Sequence, residues 1–306
     1  MNSKKLKHAV NLALGVTLAA GALTAEAHTM YNTAIRQGTA RVTGTDGWVY
    51  GSTDDGPSFN WNYPTPTPGW VGTGPGPGVN PTTPFGYYGK AHLNWAVEIH
   101  HAGESYEISK ADALARYGDY ISDVEIDTGA GAWQDAGVDN NGNPTAVGPT
   151  GWKHQTDIGL LKAHEDMFVS LAPSVVQGTG YDIQNFGITV FTGMDTNTGS
   201  YSHHGAWNCP GCNPSRPYNM DNPFGTQGVF YLTHDATVDA NNPLTFLAQA
   251  GQVYSIYIGG AGVGRWNQNI ADYKLNITTA PVPLPAAAWL MAPALLGLGA
   301  LRRKPT

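Results

Sequence analysis

Asp157-Ile-Gly-Leu-Leu161, the polar triplet His164-Glu165-Asp166 and Met167-Phe-Val-Ser-Leu171 read as two strands joined by a turn. Outward from that pair the pattern repeats. Gly187-Ile-Thr-Val-Phe191, Gly228-Val-Phe-Tyr-Leu-Thr233, Leu244-Thr-Phe-Leu-Ala248, Val253-Tyr-Ser-Ile-Tyr-Ile258 and Asp272-Tyr-Lys-Leu-Asn-Ile277 are short apolar runs between Gly, Pro and Asn clusters. Upstream, Ala91–His101 alternates. Leu93, Trp95, Val97 and Ile99 take one face; His92, Asn94, Glu98 and His100 take the other, with His101 on the apolar side at the strand's end. Ser105–Ile108 and Ser122–Ile126 are further strand candidates, and Lys110–Tyr120 allows one or two helical turns. No long amphipathic helix appears. The expected fold is all-β, an antiparallel sandwich or jelly roll with long Gly/Pro-rich loops.

Composition agrees. Gly contributes 39 of 306 residues and Pro 21, which means many turns, while charged residues are only 13%. Tyr (15) and Trp (9) are frequent, as strand faces and binding surfaces favour. A net charge of −7, with no cationic stripe in the body, excludes a nucleic-acid partner. Residues 56–86 carry eight prolines and read as a long surface loop. Its aromatic residues Phe59, Trp61, Tyr63, Trp70 and Phe85 either pin the loop to the sandwich or meet sugar rings. Residues 127–151 read as a second loop.

Both ends look like addresses. Lys4, Lys5 and Lys7 precede an apolar stretch from Ala9 to Leu23, and Ala25-Glu26-Ala27 offers small residues at the positions signal peptidase reads. Residues 1–27 are therefore expected to be a signal peptide, and the mature chain is expected to begin at His28. The body then spans 28–280 as one extracytoplasmic domain. Residues 281–306 form the tail: Val282, Pro283, Leu284, Pro285 and Ala286, an apolar run to Leu301, then Arg302, Arg303 and Lys304. The run is about 16 residues and would reach ~24 Å as a helix, short of a ~30 Å hydrocarbon core. That suits transient inner-membrane anchoring, with the basic end held inside.

That tail resembles the VPLPA variety of the PEP-CTERM sorting signal. The resemblance implies recognition by an exosortase-type membrane protease, a Gram-negative host, and delivery to the cell surface or an exopolysaccharide matrix. Residues 157–279 resemble the jelly-roll domains of the pre-peptidase C-terminal type, through the Asp157-x-Gly-Leu strand, Ala250-Gly251 with Tyr254, Ile256 and Ile258, and Tyr273, Leu275 and Ile277. That resemblance implies fold and extracellular placement, and no catalytic residues.

Candidate chemistry is confined to a few places. His203-His204-Gly-Ala-Trp-Asn-Cys209-Pro-Gly-Cys212 gathers two imidazoles and the only two thiols into ten residues. Three readings stay open: a small-loop disulfide between Cys209 and Cys212, a Cu(I) or Zn site, and a redox pair. His28, once terminal, offers an amine and a ring that could chelate one copper, with a partner among His92, His100, His101, His154, His164 and His234. In this it resembles histidine-brace copper proteins. The strand His92–His101 and the turn Gly151-Trp-Lys-His154 resemble copper-regulated surface proteins of methane-oxidising bacteria, which pair two histidines near a tryptophan. Taken singly, His154, His164 and His234 read as surface or loop histidines. Asp139–Asn143 and Asp195-Thr-Asn197-Thr-Gly199 place oxygens at alternate positions, but turn chemistry accounts for both, and the calcium-loop order is not met. Gly-x-Ser-x-Gly and His-Glu-x-x-His are absent.

The first reading is a non-enzymatic, exported β-sandwich protein of the cell surface or matrix. The alternatives are an extracytoplasmic copper-binding protein and a secreted polysaccharide-active enzyme.

Overall fold

The computed structural model describes residues 28–32, 70–72, 79–80, 83–89, 91, 93–117, 124–126, 137–138, 144–145, 156–180, 183–199, 223–260 and 271–283. The expected signal helix, the apolar run of the tail, and the segment 200–222 lie outside them. No helix among the described residues is long and apolar enough to cross a membrane.

The chain is all-β. Its strands are β1 (His28–Asn32), β2 (Trp70–Val71), β3 (Val79–Asn80), β4 (Trp95–Ile99), β5 (Ser105–Ile108), β6 (Glu125–Ile126), β7 (Gly137–Val138), β8 (Pro144–Thr145), β9 (Thr156–Ala163), β10 (Met167–Val175), β11 (Phe186–Gly193), β12 (Val229–Val238), β13 (Leu244–Ala248), β14 (Val253–Gly260) and β15 (Ala271–Pro281). Among the described residues one α-helix, α1 (Lys110–Tyr117), follows β5. The larger sheet runs β12-β11-β14-β9-β4-β1-β2-β3, and the smaller runs β13-β10-β15-β5 with β6 also on β15.

Among the described residues, strand pairing is antiparallel with one exception. β4 and β9 run parallel, Trp95 opposite Gly159 and Glu98 opposite Lys162. An antiparallel sandwich is thus the right class, but the pair at the centre of the large sheet departs from it. A parallel pair needs a long crossover, and the chain from residue 100 to 155 supplies it.

The main core lies between the sheets. Trp95, Val97, Ile99, Leu161, Ala163, Ile256 and Ile258 of the large sheet meet Val169, Leu171, Phe246, Tyr273, Leu275 and Ile277 of the small one. Trp95 is fully buried, and its Nε1–H donates to the Tyr273 hydroxyl at 2.8 Å, which ties one sheet to the other. The strand opposite must leave room for that ring. A Cβ added to Gly159 would stand 2.3 Å from Trp95 ring atoms. Gly159→Ala is therefore expected to cost about 2 kcal/mol by overpacking, lowering Tm by roughly 4–8 °C in a thermal melt. An unchanged melt would mean that the ring has somewhere else to go.

A second apolar cluster covers the outer face of the same sheet: Met30, Trp70, Leu93, Ala96, Ile158, Leu160, Phe191, Phe224 and Tyr257 among others. With both faces covered, β9 and β14 are buried along nearly their whole length and lose the alternation a half-wet strand would show. This revises the sequence reading at two positions. Leu93 precedes the strand and joins the outer cluster, not the inter-sheet core. Asn94 is fully buried, where its amide oxygen accepts from Ile158 N–H at 2.9 Å. The Pro-rich run also holds more structure than a loop. Trp70 and Val79 lie in two short strands at the sheet's edge, where proline is tolerated, and Trp70 is only 2% exposed. Trp70 and Phe85 thus act as pins; Phe59, Trp61 and Tyr63 lie outside the described residues. Within the expected loop 127–151, β7 and β8 pair as a small hairpin.

Candidate metal centre

The site sits at the end of the parallel pair. On β4, Glu98 faces outward between the core residues Val97 and Ile99, and His100 follows on the same side just past the strand. β9 ends at Ala163, so His164 opens the turn to β10. Its backbone N–H donates to the Ile99 carbonyl at 2.9 Å, continuing the ladder by one rung. That bond brings His164 beside Glu98 and His100 although some 66 residues separate Glu98 from His164 in sequence.

The side chains meet there. His164 Nε2 and Glu98 Oε1 are 2.6 Å apart. The His100 and His164 rings stack, centroids 4.5 Å apart and planes 29° apart. One donor atom from each of Glu98, His100 and His164 lies within 4.8 Å of the others. Glu98 is 24% exposed and His164 40%, so the group forms an accessible rim. As an ion pair alone, a contact this exposed is worth at most about 1 kcal/mol.

The surroundings hold the rim in place. All three residues of the His164-Glu165-Asp166 turn are fastened. Beyond the His164 backbone bond, the Glu165 carboxylate accepts from Ala102 N–H and Asp166 accepts from Ala250 N–H at 2.8 Å. On the other side, Glu104 accepts from His101 N–H at 3.0 Å and from the Tyr106 hydroxyl, which closes the turn after His100. Those bonds hold the Glu104 carboxyl below its ordinary range against the opposing effect of burial. Lys162, the neighbour of Glu98 across the parallel pair, reaches over the Phe85 ring at 5.7 Å.

Two imidazoles and a carboxylate are a divalent-metal donor set. A metal at about 2.0–2.2 Å from each donor leaves any two donors no more than about 4.4 Å apart. Donors that all lie within 4.8 Å of one another need to close by at most about half an ångström, within the rotamer freedom of side chains on an accessible rim. Three protein ligands leave further coordination positions open.

The sequence candidates fare as follows. His100 and His164, two of the possible partners for His28, come together. His28 heads β1, with its Cα paired to that of Glu98. His101 is exposed in the turn, not on the apolar side. His234 lies on β12 and its Nδ1 is 2.7 Å from the Tyr231 hydroxyl. His92, His154, His203, His204, Cys209 and Cys212 lie outside the described residues, as do Leu284 to Ala286 and Arg302 to Lys304 of the sorting motif. Val282 and Pro283 are described, and both are exposed just beyond β15. Asp195 behaves as turn chemistry predicts. Its carboxylate accepts from Asn197 N–H at 3.1 Å and from Ala91 N–H at 2.9 Å. Glu98 is the residue that sequence reasoning missed as a donor. Its one signal was the outward position shared with His100.

No family model matches this chain, and no curated protein matches its sequence. Among solved structures it is similar to CorA of Methylomicrobium album BG8, described as a surface-associated copper-binding protein. The identity is 8%, covering 61% of this chain and 98% of that one, at a TM-score of 0.27. It is also similar to the secreted protein MopE of Methylococcus capsulatus, in which an oxidized tryptophan facilitates copper-binding. There the identity is 12%, covering 68% and 92%, at a TM-score of 0.28. What the Glu98, His100 and His164 group can bind follows from its own geometry.

Proposed function

We propose that this protein is an exported, non-enzymatic copper-binding protein that holds Cu(II) at Glu98, His100 and His164. The observation that carries this is the convergence of three donors within 4.8 Å on a rim fastened by backbone bonds. Imidazole and carboxylate together suit Cu(II), which also stands at the top of the divalent affinity order. The basic, apolar and small-residue order of residues 1–27 supports export, and the Val282–Ala286 motif with its basic end supports sorting by an exosortase-type protease to the surface or matrix.

The test is copper retention. The full chain, expressed with its leader in a Gram-negative host, is loaded with Cu(II), stripped of loose metal and quantified by mass spectrometry. Wild type is expected to keep copper in stoichiometric amount, and the double variant His100→Ala/His164→Ala to lose that equivalent. A wild type without copper, or a double variant that keeps as much, refutes the assignment. Intact mass of surface-released protein tests sorting on the same sample: an end still carrying Arg302-Arg303-Lys304 argues against it.

A further inference from the structure

The end of β15 runs between the two turns that carry the proposed metal donors. On one side it holds register with the start of β10: Thr279 opposite Val169, Ala280 opposite Phe168 and Pro281 opposite Met167. Met167 directly follows the His164-Glu165-Asp166 turn. On the other side β15 pairs with β5, Thr278 opposite Ser105, just past the turn that follows His100.

Thr279 is the residue that grips that second turn. It is buried. Its N–H donates to the Glu104 carbonyl at 3.0 Å, and its hydroxyl donates to the same carbonyl at 2.9 Å, with the His101 carbonyl 3.4 Å away. In return the Gly103 N–H donates to Thr279 Oγ1 at 2.9 Å and to the Thr279 carbonyl at 3.2 Å. Gly103 has a φ of +95°, which side chains other than glycine rarely allow, so Thr279 holds the residue that gives the turn its shape.

These bonds close a circuit. Thr279 fastens residues 101–104, the Ala102 N–H reaches the Glu165 carboxylate, and Met167 returns to Pro281 across the strand pair. His100 enters the first turn and His164 opens the second, so the circuit fixes the spacing of the backbones that bear both rings. A donor set works only when its members are held to within about 0.5 Å.

We infer that the end of β15 is a splint for the metal centre, with Thr279 as a positioning residue, and that metal binding and fraying of this strand end oppose one another. The inference rests on the copper assignment to Glu98, His100 and His164. Val282, the first residue of the sorting motif, stands three residues past Thr279 and is exposed. Drawing the motif out straight would therefore load the splint. Coupling of this kind is reciprocal: what the strand end contributes to copper affinity, copper returns as resistance to fraying.

The full chain, processed by its host, is titrated with Cu(II) alone against a chelator, and its electron paramagnetic resonance spectrum is recorded. Thr279→Val removes the hydroxyl at nearly constant shape. It is expected to weaken copper at least about fivefold and to alter the spectrum, although no donor is touched. Thr279→Ser keeps the hydroxyl and is expected to bind as wild type does. Thr245→Val removes a hydroxyl of the same small sheet, one bonded to Ser170 Oγ at 2.7 Å, and is expected to leave affinity alone. Amide hydrogen exchange on wild type gives the reciprocal reading. Cu(II) is expected to slow exchange at residues 101–104 and 278–282 while residues 273–276, at the start of the same strand, exchange as before.

Copper held equally by wild type and Thr279→Val, with no added protection at the strand end, overturns the coupling and leaves the metal centre standing. Protection spread evenly along β15 overturns it as well, because any ligand of the folded state stabilises the whole fold in that way. Should Thr279→Val fail to fold, the exchange comparison on wild type decides by itself. A wild type that holds no copper removes the centre, and the coupling with it.

Discussion

His164→Ala alone should weaken Cu(II) binding by about a hundredfold or more, while the fold melts within a few degrees of wild type. The reasoning is local. Four-ligand structural zinc sites carry about 10–16 kcal/mol, so on that scale the loss of one donor is worth roughly 3 kcal/mol, or two decades in affinity. The fold loses little. What anchors the turn is the His164 backbone N–H on Ile99, the Glu165 carboxylate on Ala102 and the Asp166 carboxylate on Ala250, none of which needs the imidazole. The Glu98–His164 contact is exposed and contributes at most about 1 kcal/mol, a Tm change of some 2–4 °C. A control on the other sheet, Lys274→Ala, removes a pair with Glu107 at 3.6 Å that is at least as exposed and should leave copper affinity alone. Chelator competition with a melt on each sample decides the matter. Equal copper affinity in His164→Ala and wild type would reduce the contact to an ordinary surface ion pair.

Lys110→Met should have the opposite profile, a large loss of stability with copper affinity retained in whatever remains folded. Lys110 Nζ lies 2.7 Å from Glu125 Oε2 and 2.5 Å from Asp272 Oδ1. The Glu125 side chain is only 2% exposed. The two carboxylates stand directly across from one another, because β6 pairs with β15 with Asp272 opposite Glu125. Without the ammonium between them, like charges face each other across a strand pair and one of them is buried. Removing one member of a buried pair costs about 3–5 kcal/mol, here a Tm drop of roughly 10 °C. Adding Glu125→Gln to Lys110→Met should recover a substantial part of it, since the repulsion and the uncompensated charge go together. Denaturant melts of both single variants and the pair measure the coupling. Full additivity would show that the three groups do not act as a unit.

Much of this architecture is legible in the residues. Leu244–Ala248 and Ser105–Ile108 are strands at the bounds their composition suggests, and alternation in Trp95–Ile99 correctly sends Glu98 away from the core. Alternation was less informative in Val253–Gly260, because a strand covered on both faces has no wet side to mark. Two of the three donors of the candidate metal centre were visible in the same way, as Glu98 and His100 on one outward face. His164 was read as a turn histidine, and it is one. What no local pattern conveys is which strand lies alongside which. The parallel pairing of β4 and β9 joins segments separated by a long crossover, and only that neighbour relation turns a surface histidine into a candidate ligand. The edge strands at Trp70 and Val79 were hidden for a related reason. Proline forbids an interior strand, but not a two-residue rung at a sheet's margin.

The same crossover has a bearing on when the proposed metal site can first form. Synthesis delivers Glu98 and His100 well before His164, and a lone pair of donors on a floating chain is a poor trap. Contacts so distant along the backbone, in parallel register, close late in folding. On the export and copper binding proposed above, an extended polypeptide would cross empty and take up its metal only once the β4–β9 ladder has formed.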